Sequence, residues 1–300
     1  MGVSPGPHAG IMTTNYAERR WTSRDGLSLF ARDYAGSDGE LHLPVICLHG
    51  LTRNSNDFED IAPRIAAWGR RVVVPDVRGR GRSAHDPKPA NYQPKTYARD
   101  VLGLMDLFDI PRAVFLGTSM GGLITMTVAA MRSKAVAAAI LNDVGPAVAP
   151  EGVTRIMSYA GKVAPIHSWD DAVDYLRRTS GVAFPGFTDK DWRKFAERTF
   201  RDNDGQPELD YDSAIAVPLR KPGKAVELLA WLLFRRLARR RPTLLIRGEL
   251  SDILSADIAA RMRRVAPQMQ EVVVPGVGHA PMLDEPAAVD AIDEFLRTVP

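Results

Sequence analysis

Gly117-Thr118-Ser119-Met120-Gly121 sets a serine between two glycines, with a residue of separation on each side. An apolar, β-favouring run at 113–116 precedes it, and a helical pattern at 123–131 follows. Strand, tight turn and helix are the setting of a nucleophile elbow, whose hydroxyl projects above a sheet from a strained backbone. The residues two before and two after the serine then approach closely, which glycine permits and a Cβ does not. The following helix aims its free N–H groups at negative charge developing beside Ser119. The chemistry this suggests is nucleophilic attack on a carbonyl. A hydroxyl is a weak nucleophile at neutral pH, so a base must take its proton.

Six histidines are available, and only His49 and His279 stand where an apolar strand pattern meets its loop. His279, in the glycine-rich stretch Gly276-Val277-Gly278-His279, is the expected base. The base needs a carboxylate to fix its tautomer and stabilise the imidazolium. Asp252, five residues past the strand pattern at 243–247, is the first choice. Asp143, after the strand that follows the elbow, is the rival, and Glu249 is third. Gly79 and Gly81 suggest a phosphate loop, but the third glycine of a dinucleotide fingerprint is missing, so a structural loop at the rim of the site is expected.

The elements that must hold these residues follow in order. Two strand patterns flank Asp25-Gly26, the signal of an antiparallel hairpin. Compact apolar runs at 43–48, 72–74, 113–116, 136–141, 243–247 and 271–274 read as further strands, and helical periodicities alternate with them. From 145 to about 218 the rhythm breaks into aromatic-rich helical pieces with no buried-strand pattern. The fold class expected is therefore α/β: a mostly parallel sheet of about eight strands with an antiparallel start, flanked by helices. A helical cap is inserted after the sixth strand. Residues 16–145 and 219–300 form the core and 146–218 the cap, with 1–15 a disordered leader. Ser119, His279, His49, Asp143 and Asp252 all fall just past strand ends, where function gathers in such sheets.

Composition excludes several classes. Among 300 residues, 45% are hydrophobic and 25% charged, ordinary for a globular protein. A net charge of +3 is too small to argue for nucleic acid, and Arg235-Arg236-Leu237-Ala238-Arg239-Arg240-Arg241 reads as a solvated helix end. The single cysteine, Cys47, lies in an apolar run and forms no intramolecular disulfide. No run reaches the ~20 apolar residues of a membrane helix, and no secretory leader is visible at the N-terminus. A cytoplasmic protein with no membrane or nucleic-acid partner is expected, and oligomeric state is unreadable. Metal-ligand spacings of His, Cys and acidic residues are absent, so no metal and no cofactor are expected.

His49-Gly50, Asp76-x-Arg78-Gly79-x-Gly81-x-Ser83, Gly117-x-Ser119-x-Gly121-Gly122, Asp252 and Gly278-His279 together resemble the α/β-hydrolase fold superfamily, in its cap-bearing, esterase-like branch. The resemblance runs from about Arg19 to the C-terminus. It implies an oxyanion hole from the backbone N–H groups of Leu51 and Met120, and a two-step acyl transfer on a small-molecule ester. Cap and loop residues His49, Phe58, Met157, Trp169, Phe184 and Phe187 are candidates for a mostly apolar pocket wall taking a small to medium acyl or aryl group. Carbon–carbon hydrolases and enol-lactonases share the same catalytic set. An aminopeptidase would need acids such as Asp170, Asp171 and Asp174 to hold an amine. A small-molecule receptor of the same fold is the alternative outside enzymes.

Overall fold

The computed structural model describes residues 16–37, 42–162, 165–219 and 223–300, so the expected leader at 1–15 lies outside the described residues. The hairpin β1 (Ala17–Thr22) and β2 (Ser28–Tyr34) turns at Gly26, whose φ of +91° is the reason for glycine there. Then come β3 (Val45–Leu48), α1 (Ile61–Ala67), β4 (Val72–Asp76), α2 (Pro94–Leu107), β5 (Ala113–Thr118), α3 (Met120–Met131) and β6 (Val136–Asn142). The cap region holds α4 (Pro150–Tyr159), α5 (Trp169–Ser180), α6 (Asp189–Thr199), β7 (Phe200–Asn203) and β8 (Gln206–Leu209). The core resumes with α7 (Lys224–Ala238), β9 (Thr243–Gly248), α8 (Ala256–Val265), β10 (Gln270–Val274) and α9 (Pro286–Thr298).

The main sheet has eight strands in the order β1-β2-β4-β3-β5-β6-β9-β10. β1 and β2 are antiparallel, β2 meets β4 antiparallel, and the rest are parallel, as the sequence pattern predicts. Central strands are buried on both faces, and alternation assigns their side chains to two cores. Ile46, Leu48 and Phe115 pack with α2, α3 and α7, while Val45, Cys47, Val114 and Leu116 pack with α1 and α9. Burial pushes the Cys47 thiol far above its ordinary range, which leaves it inert.

The cap region has its own apolar cluster, built around Tyr175, Leu176, Phe184, Trp192 and Phe195. Ser168 with Asp171 and Thr188 with Asp191 form capping boxes that start α5 and α6. One element departs from the expectation of helices alone. β7 and β8 form a hairpin whose turn, Asp204-Gly205, has positive φ at both residues. Their sequences, Phe-Arg-Asp-Asn and Gln-Pro-Glu-Leu, lack the apolar alternation that marks a half-buried strand.

Candidate active site

Ser119 sits between β5 and α3 with φ 51° and ψ −113°, a conformation that L-residues rarely adopt. Neighbouring backbone enforces it. A Cβ on Gly117 would collide with Gly121, and one on Gly121 would collide with the Leu48 carbonyl of β3. The Ser119 N–H donates to the Asn142 carbonyl at 3.0 Å, tying the elbow to the end of β6. The Asn142 amide in turn donates to Thr118 Oγ1 and to the Pro281 carbonyl, at 3.0 and 2.9 Å. Elbow, β6 and the histidine loop are thus joined through one side chain.

His279 follows β10 and faces the serine. The Ser119 hydroxyl donates to His279 Nε2 at 2.9 Å, and His279 Nδ1–H donates to Asp143 Oδ2 at 2.7 Å. Asp143 is fully buried just past β6. Its Oδ1 accepts from the Gly248 N–H at 2.9 Å, and Oδ2 also accepts from the Ser251 hydroxyl at 2.6 Å. Three donors hold this carboxylate, and its bond to Nδ1–H orients the imidazole.

The preferred acid of the sequence reading is therefore displaced. Asp252 makes no hydrogen bond to His279; both its oxygens go to Arg155 of α4, at 2.6 and 2.8 Å. Burial would raise the Asp252 carboxyl, but the Arg155 bonds and charge outweigh it and hold the group below the ordinary carboxylate range. The physical reason is register. β6 lies directly between β5 and β9, so a residue one step past β6 stands nearer the imidazole than one in the outward loop after β9. Glu249, the third choice, accepts from the Gly276 N–H at 2.8 Å and stays on that outer loop.

Leu51 and Met120 stand on the two sides of Ser119, in the loop after β3 and at the first position of α3. Among the described residues, neither backbone N–H donates to a turn, loop or side-chain acceptor. His49 supports this loop from beneath. It is fully buried, Nδ1–H donates to the Gly50 carbonyl at 2.8 Å, and Nε2 accepts from the Val77 N–H at 3.0 Å. Burial lowers its pKa, which keeps this neutral tautomer in place.

Arg80 is a residue that sequence reasoning left in a structural loop. Its guanidinium is fully buried and donates to the Leu51 carbonyl at 2.9 Å and to the Tyr97 hydroxyl at 3.0 Å, and it approaches Met120 Sδ at 3.6 Å. One side chain thus braces both residues that flank the serine. The neighbouring Arg78 behaves as expected for a rim loop, gripping Asp100 and Asp25.

A cavity of ≈100 Å³ opens onto Ser119 and His279 between the core and the cap region. Of the six expected wall residues, Phe184 lines it and five do not. His49 lies beneath the loop, and Phe58 is buried in the core against α1. Met157 points to solvent at 38% exposure. Trp169 carries the Arg193 guanidinium on its ring, and Phe187 stacks on Phe184 inside the cap cluster. Asp170, Asp171 and Asp174 are also away from the cavity: Asp171 caps α5 and Asp174 meets Arg177 on the surface. The wall is mixed, with Arg53, Arg155, Tyr159 and Tyr211 beside Ile156, Leu176, Phe195 and Leu209.

A family model described as alpha/beta hydrolase fold matches residues 44–286. The 3-hydroxybutyrate-oligomer hydrolase of Cupriavidus necator is 34% identical over 259 residues, covering 84% of this chain and 87% of that one. The 2-(acetamidomethylene)succinate hydrolase of Mesorhizobium japonicum is 28% identical over 238 residues, 78% of this chain and 81% of that one. A crystal structure of an alpha/beta hydrolase from Novosphingobium aromaticivorans superposes with a TM-score of 0.87 at 42% identity, over 95% of this chain and 99% of that one.

Proposed function

The chain belongs to the alpha/beta hydrolase fold family, and from that footing we propose that it is a serine hydrolase of short carboxylic esters. Ser119 is the nucleophile, His279 the base and Asp143 the acid. The observation that carries this reading is the continuous relay from hydroxyl to imidazole to carboxylate at 2.9 and 2.7 Å. His279 takes the Ser119 proton as Oγ attacks the ester carbonyl. The oxyanion is held by the Leu51 and Met120 N–H groups, each of which contributes about 3–4 kcal/mol to transition-state binding in such sites. His279 then gives the proton to the departing alcohol. Water, deprotonated by the same imidazole, cleaves the acyl-Ser119 ester and releases the acid.

Size points to a short acyl group. A cavity of about 150 Å³ holds a benzene ring, and the one here is ≈100 Å³. The relative that acts on 3-hydroxybutyrate oligomers supports short hydroxyacyl esters as substrates.

Hydrolysis of activated acyl esters of two to twelve carbons, and of a 3-hydroxybutyrate dimer, tests the proposal. Turnover is expected for the shortest chains and for the dimer, and Ser119→Ala should remove it by at least about a thousandfold. Folded wild-type protein that hydrolyses none of these esters would overturn the ester reading and favour a carbon–carbon substrate or a ligand receptor.

A further inference from the structure

We infer that Arg155 and Arg53 form an anion subsite in the cavity wall, so that the ester hydrolysed here carries a carboxylate. This rests on the ester-hydrolase reading for its chemistry, although the subsite itself is a matter of binding. Both residues line the same cavity as Ser119 and His279. Arg53 comes from the core loop after β3, and Arg155 comes from α4 above it. Their side chains are only 14% and 16% exposed.

Guanidiniums in so enclosed a place need partners, and each has one acid on one edge. Arg53 Nε donates to Asp57 at 3.0 Å, and Arg155 donates through Nε and Nη2 to Asp252. A guanidinium has five N–H donors, and these pairings occupy one side of the fork. On Arg155, Nη1 stands 3.4 Å from the Thr179 carbonyl, a weak contact, and the side chain also meets the Tyr159 phenol. On Arg53, Nη1 meets Thr199 Oγ1 of α6. Each Arg therefore keeps N–H groups beyond its acid.

Other donors share the wall. The Tyr159 phenol lies within the fields of both arginines and hydrogen-bonds with Thr52. The Tyr175 and Tyr211 hydroxyls, on residues that line the same cavity, meet each other. Asp57 is the one carboxylate that lines the cavity, and Arg53 already occupies it. The wall thus sets two arginines among hydroxyls that can donate or accept. A ligand that answers the guanidiniums is rich in acceptor oxygens. An ester joined to a short carboxylate is that kind of molecule, and arginine is suited to binding the carboxylate end.

The test uses 3-acetoxybutanoate and its primary carboxamide, which present the same acetyl ester with and without a negative charge. Acetate release by the full-length wild-type protein is expected to favour the anion about tenfold or more in kcat/KM, chiefly through KM, as for a charge-assisted hydrogen bond. Arg155→Met combined with Asp252→Asn removes the guanidinium without stranding its acid, and should bring the ratio close to one. Arg53→Met is the second variant and should lower the ratio as well. Calorimetric binding of both compounds to Ser119→Ala protein needs no turnover, and it should show the same preference. Equal treatment of the two compounds in both assays would overturn the subsite and leave the arginines as cap anchors. Selective binding of the anion without any ester turnover would uphold the subsite and overturn the ester chemistry.

Discussion

Asp143 and Asp252 decide between two readings of one histidine, and they are separable by measurement. Asp143→Asn keeps the size of the side chain but replaces the acceptor that orients His279. It should lower kcat by about three to four orders of magnitude, as loss of the orienting carboxylate does in serine hydrolases. Asp252→Asn should cost far less for an uncharged short ester, since its partner is Arg155. Steady-state kinetics on the two variants checks this, and the reverse order would return Asp252 to the catalytic set. Ser119 and His279 were legible in the sequence because residue type, glycine spacing and strand ends coincided there. The acid was not, because both aspartates follow strands at the same sheet edge. What separates them is which strands are neighbours, and no local pattern encodes that. The cavity wall was legible only at Phe184. Aromatic spacing marks a packed face, but Trp169 and Phe187 pack within the cap cluster rather than toward the serine.

Elements meet most closely where the cap region is sewn to the core. The Gly81 N–H donates to the Asp210 carbonyl, and the Asp212 N–H donates to the Gly79 carbonyl, at 2.9 and 2.8 Å. Arg198 and Lys194 of α6 hold Asp60 at 2.5 and 2.6 Å. Burial opposes charge on Asp60, but the two cations overcome it and bring its pKa to about 2. Asp210 has the opposite balance. Burial, then the nearby Asp76 carboxylate, raises it to about 6, with one hydrogen bond from Asn54 at 2.7 Å. A carboxyl raised in the folded state holds its proton more tightly there than when unfolded. Its contribution to stability is present at low pH and is lost as pH rises from about 4 through about 6. Asp210→Asn should therefore melt increasingly above wild type between pH 4.5 and pH 7.5, a trend that paired thermal melts will show. A gap that stays constant across that range would disprove it. The sheet and its antiparallel start were legible from apolar runs and breaks. The β7–β8 hairpin was missed although its Asp204-Gly205 turn repeats the Asp25-Gly26 signal. Its short polar strands offered no alternation to confirm the turn.

Across the whole molecule, Arg70 closes the chain over long sequence distances. Its guanidinium donates to the carbonyls of Leu43, Leu296, Val299 and Pro300, at 2.7 to 2.9 Å. Three of these acceptors lie at the C-terminal end of α9, where helix carbonyls lack partners of their own. Arg70→Met should cost about 3 kcal/mol in denaturant unfolding, from several buried carbonyls left without donors. A loss below about 1 kcal/mol would show that water replaces the guanidinium without penalty. Among the described residues no helix is long and apolar enough to cross a membrane. The placement of Asp143 next to the elbow strand has a consequence for protein engineering. In the proposed triad, nucleophile and acid follow adjacent strands, β5 and β6, and the loop at 249–255 takes no share in proton transfer. Ser251 bonds Asp143, Asp252 pairs with Arg155, and Ile253 and Leu254 are buried, so the positions of this loop open to saturation libraries are the exposed Glu249 and Leu250.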